Sequence, residues 1–253
     1  MKIEKIKKTG KKYKIVFDDD SNITTYDDVI INNGLLYNTN VDIDILNKIN
    51  KDTSYYDAYY KCVNYITKKL RSEKEVNEYL DKIKVTSKEK NEVINKLKEI
   101  GLINDFVFAK AYISDSINLS SKGPIKIKKE LQNHNIKEDV IEEEISKIDN
   151  NLIIEKITKL INKKTKNSKY TGFVLKQKVV NDLINLGYSK ELIVEIYDST
   201  NISNDNLLKK EYDKLYKKLS TKYTGYELGM KIKTKLYQKG FTNEEINSVI
   251  EID

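Results

Sequence analysis

In a chain of 253 residues with one histidine, His134, and one cysteine, Cys62, side-chain chemistry has few starting points. A single cysteine rules out a disulfide framework, and one Cys with one His cannot build a Cys/His zinc site. A Cys–His dyad or a Ser–His–Asp triad would require His134 to serve every role. Cys62 lies four residues from Ala58 and from Ile66, on an apolar stripe, and reads as a buried small hydrophobe. His134 falls next to Asn135 and reads as an exposed turn residue. The acidic clusters Asp18–Asp20 and Glu142–Glu144 lack the spacing of a calcium loop; the first suits a turn and the second a helix face. Neither a GxxxxGK[ST] nor a GxGxxG phosphate cradle is present. The expectation is a non-enzyme with no cofactor and no metal.

Charge is what the chain has in quantity, with 46 basic against 39 acidic residues and a net charge of +7. Its placement is uneven. Residues 151–253 hold 19 Lys against 13 Asp plus Glu, net +6, whereas residues 1–150 hold 27 basic against 26 acidic, net +1. Lys, Ile and Asn together fill 105 positions. All three are spelled by A/T-rich codons, so many lysines read as solvated helix faces raised by composition alone. The 18 tyrosines could stack on bases. Their helical spacing, as in Tyr56 with Tyr60 or Tyr212 with Tyr216, favours half-buried packing with a wet hydroxyl.

The elements that must position these residues follow from periodicity. With 39% apolar residues the chain can bury a core. No stretch reaches 18 uncharged apolar residues, so no transmembrane helix is expected. The start, MKIEKIKKTGKKYKI, lacks the apolar region of a secretory signal, and a reduced cytoplasmic setting is expected. Tyr13, Ile15 and Phe17 alternate with Lys14 and Val16, the period of a half-buried strand. Turns at Thr9-Gly10 and Asp18–Asn22 frame a three-stranded meander over residues 2–26. Short helices are predicted near Tyr26–Asn33 and Asp42–Asn50, with Gly34 ending the first. Lys51-Asp52-Thr53-Ser54 reads as a junction. Beyond it, Ala58, Cys62, Ile66 and Leu70 share a helical face, as do Val93, Ile94, Leu97 and Ile100, and Leu228, Ile232 and Leu236. Pro124 suits the first turn of a helix, where its missing N–H has no partner.

Self-similarity organises the rest. KIKTKLYQKGFTNEEI, KVVNDLINLGYSKELI and KIKKELQNHNIKEDVI align without gaps on Leu236, Leu183 and Leu131, and Leu80 marks a weaker fourth copy. Four residues after each leucine stand Gly240, Gly187 and Asn135, residue types that enter the left-handed region to end a helix; the first copy has Lys84 there. Phe241, Tyr188, Ile136 and Val85 follow. Thr242 and Ser189 then suit N-caps, and Thr242 with Glu245, Thr86 with Glu89 and Ser72 with Glu75 have capping-box spacing. Each copy is a long helix, a turn, a second helix, a tight corner and a third helix. Tyr-Thr-Gly recurs at residues 170–172 and 223–225.

Several of these residues resemble the RecX family. The similarity runs through Arg71-Ser72-Glu73-Lys74-Glu75-Val76 with Leu80, then Gly101-Leu102-Ile103-Asn104-Asp105-Phe106, Phe108-Ala109 and Tyr112. It continues in Gly123-Pro124-Ile125-Lys126 through Leu131, and the hairpins with Tyr26–Val29 and Asn33–Leu35 resemble longer members. One departure is compositional: Arg71 is the only arginine where the family carries many, and lysine keeps charge without the planar bidentate fork. The resemblance implies a cytoplasmic bacterial regulator without catalytic activity. Such a protein binds the RecA–single-stranded DNA filament along its groove and lowers its ATPase, growth and strand exchange. Direct DNA contact through the basic C-terminal repeats is the alternative. A monomer with no membrane association is expected.

The expected architecture is mainly α: tandem three-helix repeats in an elongated, curved array behind a small N-terminal β-meander with short helices. Its divisions are residues 1–53, 54–103, 104–150, 151–203 and 204–253. Lys126, Lys178 and Lys231 hold the same position on the second helix of repeats two to four, and Lys128 and Lys233 recur two residues later. With Lys129, Lys176 and Lys235 nearby, they predict a periodic basic stripe facing the filament or DNA, and Arg71 is a candidate contact in the first repeat. Charge reversal at Lys126, Lys178 and Lys231 together should abolish filament binding with helicity intact by circular dichroism; unchanged binding would discard the stripe.

Overall fold

The computed structural model describes residues 1–166, 168–200 and 206–250. The predicted division at residues 203/204 and the end at 253 lie outside the described residues. Strands β1 (Ile3–Thr9), β2 (Lys12–Phe17) and β3 (Asn22–Thr25) form an antiparallel sheet in the order β1-β2-β3. The alternation read from the sequence sends Ile15 and Phe17 inward and leaves Lys14 exposed. Three short strands need a surface to pack on, and helices α1 (Asp27–Asn32) and α2 (Ile43–Ile66) supply it. Ile3, Ile15, Phe17, Val29, Ile30, Leu35 and Ile49 form this first core.

The predicted junction at residues 51–54 is absent, because α2 runs unbroken for 24 residues. Lys51-Asp52-Thr53-Ser54 contains neither Gly nor Pro, so propensity opposes a helix there only weakly. Packing decides the outcome. The Thr53 hydroxyl donates to the Ile49 carbonyl at 2.7 Å, and the Asn33 amide donates to Asp52 at 2.9 Å. The division placed after residue 53 thus falls inside a helix that serves two cores, with Ile49 in the first and Ala58, Cys62 and Ile66 in the next. Two ends of predicted stripes are also corrected. Leu70 lies beyond α2 and is exposed, and Ile100 is a C-cap that is exposed as well.

From residue 55 onward the three-helix pattern holds. The second half of α2 joins α3 (Glu73–Lys82) and α4 (Ser87–Glu99). Then come α5 (Asp105–Leu119), α6 (Pro124–Asn133) and α7 (Glu138–Ser146). The third repeat is α8 (Asn150–Lys166), α9 (Gly172–Asn185) and α10 (Lys190–Ser199). The last is α11 (Leu207–Leu219), α12 (Gly225–Tyr237) and α13 (Asn243–Asn247). The protein is thus mainly helical, with a small antiparallel sheet at its start. Among the described residues no helix is long and apolar enough to cross a membrane. The chain divides into two compact units: Met1–Phe108 with His134–Ile136, and Ala109–Asn133 with the chain from Lys137 onward.

Every corner between second and third helix is left-handed: Lys84 at φ 60°, Asn135 at 58°, Gly187 at 94° and Gly240 at 96°. Lys84, the departure from the glycine pattern, takes the same conformation at a cost of roughly 1–2 kcal/mol. Ser72 with Glu75 and Thr242 with Glu245 form complete capping boxes. Thr86 accepts from the Glu89 N–H, but the Glu89 carboxylate accepts from the Thr86 hydroxyl. Ser189 occupies an N-cap without a side-chain cap bond.

The glycine corners also join repeats. Within the second unit the Gly123 N–H donates to the Leu186 carbonyl at 2.7 Å, and the Ile125 N–H donates to that of Gly187 at 3.0 Å. One repeat later the Thr171 N–H donates to the Lys239 carbonyl at 2.8 Å. The corner of one repeat is thus bonded to the start of the second helix of the repeat before it. No side chain fits in these seams: a Cβ on Gly187 would lie 2.4 Å from Lys126 Cβ, and one on Gly240 would lie 2.1 Å from the Thr171 carbonyl oxygen. Gly225, at the same start in the last repeat, keeps φ +53° but has nothing within 4 Å of such a Cβ. Gly240→Ala should therefore lower unfolding free energy by at least about 2 kcal/mol, from strain plus collision. Gly225→Ala should lower it by roughly 1–2 kcal/mol, from backbone strain alone. Urea unfolding of the two variants measures the difference.

Candidate interaction surface

On the second helix of each repeat in the second unit, apolar residues turn inward and lysines fill the gaps. Ile127 and Leu131 on α6, Leu175, Val179 and Leu183 on α9, and Leu228, Ile232 and Leu236 on α12 are buried. Lys129, Lys178, Lys231 and Lys235 are exposed, while Lys126, Lys128, Lys176 and Lys233 are half-buried.

Their partners divide them. Lys128 pairs with Glu138 and with Glu142, the latter at 3.1 Å, and these bonds raise its pKa. Lys176 pairs with Asp198 at 2.6 Å, and Lys233 donates to the Asn247 side chain at 3.1 Å. Arg71, the candidate of the first unit, pairs with Glu75 at 2.9 Å and lies 4.2 Å from the Tyr65 ring centre. Its charge is turned onto its own helix start, where a bare cation would be unfavourable. Lys126 stands at the seam under Gly187. Among the described residues no carboxylate lies within ion-pair reach of Lys126, Lys129, Lys178, Lys231 or Lys235.

Lys178 and Lys235 line one cleft of about 690 Å³ between the third and fourth repeats, with Lys169, Tyr170, Asn181 and Lys239. The Tyr170 ring lies under both Lys178, at 4.5 Å, and Lys169, at 5.5 Å. Lys231 stands over Tyr223 in the same way, at 5.4 Å. This cation–π pairing explains the recurrence of Tyr-Thr-Gly: the tyrosine supports a lysine on the helix that follows, the threonine is the N-cap, and the glycine opens the helix. Lys239 is neutralised by the buried carboxylate of Glu211. The sequence reading missed Lys169, Tyr170 and Lys239 as cleft residues. The signal was present as Lys-Tyr-Thr-Gly, which occurs at residues 169–172 and again at 222–225.

A second recurring feature escaped notice because it is apolar. Ile125, Phe173 and Tyr226 are each the second residue of α6, α9 and α12, and each is exposed, at 46%, 75% and 67%. Large apolar side chains held outward at the same place in three repeats are suited to a protein contact.

His134 is not an exposed turn residue. It is half-buried in the first unit, its ring centre 5.0 Å from that of Phe108 and its Nδ1 3.3 Å from the Ser72 hydroxyl. Cys62 is fully buried, as read from its stripe, and burial pushes its thiol up to about 12. The tyrosines of α2 pack as expected: Tyr55 and Tyr59 rings stack at 6.3 Å, and Tyr26 lies 4.7 Å from Tyr60. Among the described residues no three His, Cys, Asp or Glu side chains are grouped to hold a metal ion.

These features define a class: tandem three-helix repeats following a small β-sheet, with lysines and apolar tips repeated along the second helices. The family assignment follows from comparison with known proteins. Residues 104–144 match the second three-helix domain of RecX and residues 204–250 its third. The chain is 32% identical over 255 residues to the regulatory protein RecX of Streptococcus agalactiae serotype III (strain NEM316), covering 99% of this chain and 98% of that protein. It is 29% identical to the regulatory protein RecX of Streptococcus gordonii (strain Challis) over the same shares. A crystal structure of regulatory protein RecX superimposes with a TM-score of 0.69 at 25% identity, covering 78% of this chain and 98% of that one. That of RecX from Lactobacillus salivarius gives 0.54 at 28% identity, covering 58% and 96%. The chain belongs to the RecX family of regulatory proteins.

The pair of Lys122 with Glu130, at 2.7 Å, should show in titration. Burial alone would raise the Glu130 pKa, but hydrogen bonds from Lys122 and Tyr112 outweigh it and hold the carboxyl below the ordinary value of 4.5. A depressed folded pKa stabilises above the unfolded value, and that contribution is lost as pH falls through the folded one. Carboxyl NMR should find Glu130 titrating below 4.5. The stability difference between the parent and Lys122→Met should shrink as pH drops through that range.

Proposed function

We propose that this protein binds the RecA–single-stranded DNA filament and restrains it, lowering its ATPase, growth and strand exchange without catalysing a reaction itself. The observation that carries the reading is full-length likeness to proteins named regulatory protein RecX. The surface supports it. A partner that is itself periodic suits contacts repeated at one position of successive repeats, and Ile125, Phe173 and Tyr226 offer apolar contacts that a purely phosphate-directed surface would not need. The reading places the protein in the bacterial cytoplasm as a monomer.

A second reading, direct DNA binding through the C-terminal repeats, draws on one feature. Lys178, Lys235 and Lys169 share a cleft with Tyr170 and, among the described residues, lack a carboxylate partner. Salt separates the readings, because phosphate-driven affinity falls steeply with ionic strength. The decisive assay measures RecA's single-stranded-DNA-dependent ATPase against rising concentrations of this protein. Inhibition at levels too low to coat the DNA is expected, and Phe173→Ser with Tyr226→Ser should weaken it about ten-fold or more. No effect on RecA at any concentration would reject the first reading.

A further inference from the structure

The N-terminal sheet carries a second basic cleft, which the net charge of the first 150 residues conceals. Its volume is about 700 Å³, within the usual range of ligand pockets. One wall is the tip of the β1–β2 hairpin, with Lys8, Gly10, Lys11, Lys12 and Tyr13; the other is the last turns of α2 from Tyr60, including Lys61 and Asn64, and its C-cap Thr67. Gly10, at φ +65°, turns the hairpin so tightly that Lys8, Lys11 and Lys12 stand together.

The charges of this cleft are not equivalent. Lys12 is spoken for: it pairs with Asp57 at 2.6 Å, and Asp57 also accepts from the Tyr26 hydroxyl at 2.7 Å. That bond raises the Lys12 pKa and fixes the floor. Lys8, Lys11 and Lys61 are exposed, and among the described residues none has a carboxylate within ion-pair reach. Asp27 lines the cleft, Asp57 lies beneath Lys12 and Asp28 holds the Tyr60 hydroxyl, so the available positive charge is that of Lys8, Lys11 and Lys61.

Aromatic surface lies between the cations. The Tyr13 ring is under Lys8 at 5.8 Å, and the Tyr26 ring is under Lys12 at 4.7 Å. Tyr60 packs on Tyr26 and is itself 36% exposed, its hydroxyl held by Asp28 at 2.6 Å. The hydroxyl is anchored, so the ring is fixed in place with a third of its surface free. Free cations around fixed rings, with the Asn64 amide and Thr67 hydroxyl beside them, match what single-stranded nucleic acid requires: point charges for successive phosphates and ring faces for unstacked bases. An acidic peptide would use the lysines but gain nothing from the rings. A duplex would keep its bases stacked and out of reach.

We propose that the cleft between the β1–β2 hairpin and α2 binds a short stretch of single-stranded nucleic acid, with phosphates on Lys8, Lys11 and Lys61 and a base against Tyr60. The site shares no residue with the second-helix surfaces, and its test contains no RecA, so its failure and that of the regulatory reading are distinguishable.

The test is fluorescence anisotropy of a labelled oligo(dT) titrated with the full chain at two salt concentrations. Lys8→Glu/Lys11→Glu/Lys61→Glu should weaken binding at least ten-fold and lower the slope of log affinity against log salt by about 2, as expected for three lost phosphate contacts. Tyr60→Ser should weaken binding at least about five-fold, whereas Tyr60→Phe, which keeps the ring but loses its tether to Asp28, should weaken it less. Circular dichroism should show all variants folded, and Lys178→Glu/Lys235→Glu should retain most of the affinity. Parental affinity in the triple variant would overturn the proposal. So would equal binding of a duplex of the same length, or displacement of the oligonucleotide by poly-glutamate at matched charge.

Discussion

The contact on which the second unit depends is made by backbone alone. A helix ends in a glycine with positive φ, the chain turns, and the carbonyls at that turn accept N–H groups from the start of a helix one repeat earlier. Each such bond satisfies a donor that a helix N-terminus would otherwise leave to water or to a capping side chain. The seam thus solves two problems with one residue, since the glycine that lets the helix stop also removes the Cβ that would hold the two backbones apart. Everything on the second helices follows from this register, because the seam sets which turn of α9 and α12 lies beside its neighbour and so which lysines share a cleft.

Much of this was legible in the chain, for reasons that differ from element to element. The β-meander could be read because a two-residue period and glycine at a tight turn leave little choice. The four helix triplets could be read because Leu80, Leu131, Leu183 and Leu236 recur with corner residues at a fixed offset. The unbroken α2 could not be. Nothing in Lys51-Asp52-Thr53-Ser54 forbids a helix, and its bonds to Asn33 and Ile49 belong to the fold rather than to local propensity. His134 was misread for a related reason: its corner is local, but the Phe108 and Ser72 that half-bury it are not.

The charges were legible in position but not in state. Spacing placed Lys128 and Lys178 on the same kind of helix, yet one is held by two glutamates and the other stands over a tyrosine in a cleft. Composition had suggested that many lysines are background, and ion pairing identifies some of them. The same sorting works at the other end of the chain, where Lys12 is neutralised and its neighbours Lys8 and Lys11 are not. Net charge over a long segment averages over such differences, which is why the N-terminal 150 residues looked neutral while holding a strongly basic hairpin.

The seams also have a direction. In each, the corner supplies carbonyls and the helix start supplies N–H groups, so the third repeat accepts at its corner and donates at the start of its second helix. The last repeat still has a donating start at Thr224–Gly225, open and correctly wound. The first repeat has a left-handed corner at Lys84, but with a Cβ and an ammonium where the two glycine seams admit neither. Joining is therefore set at the corner residue: one added carbon atom at Gly187 or Gly240 acts on the junction between two repeats rather than on either helix.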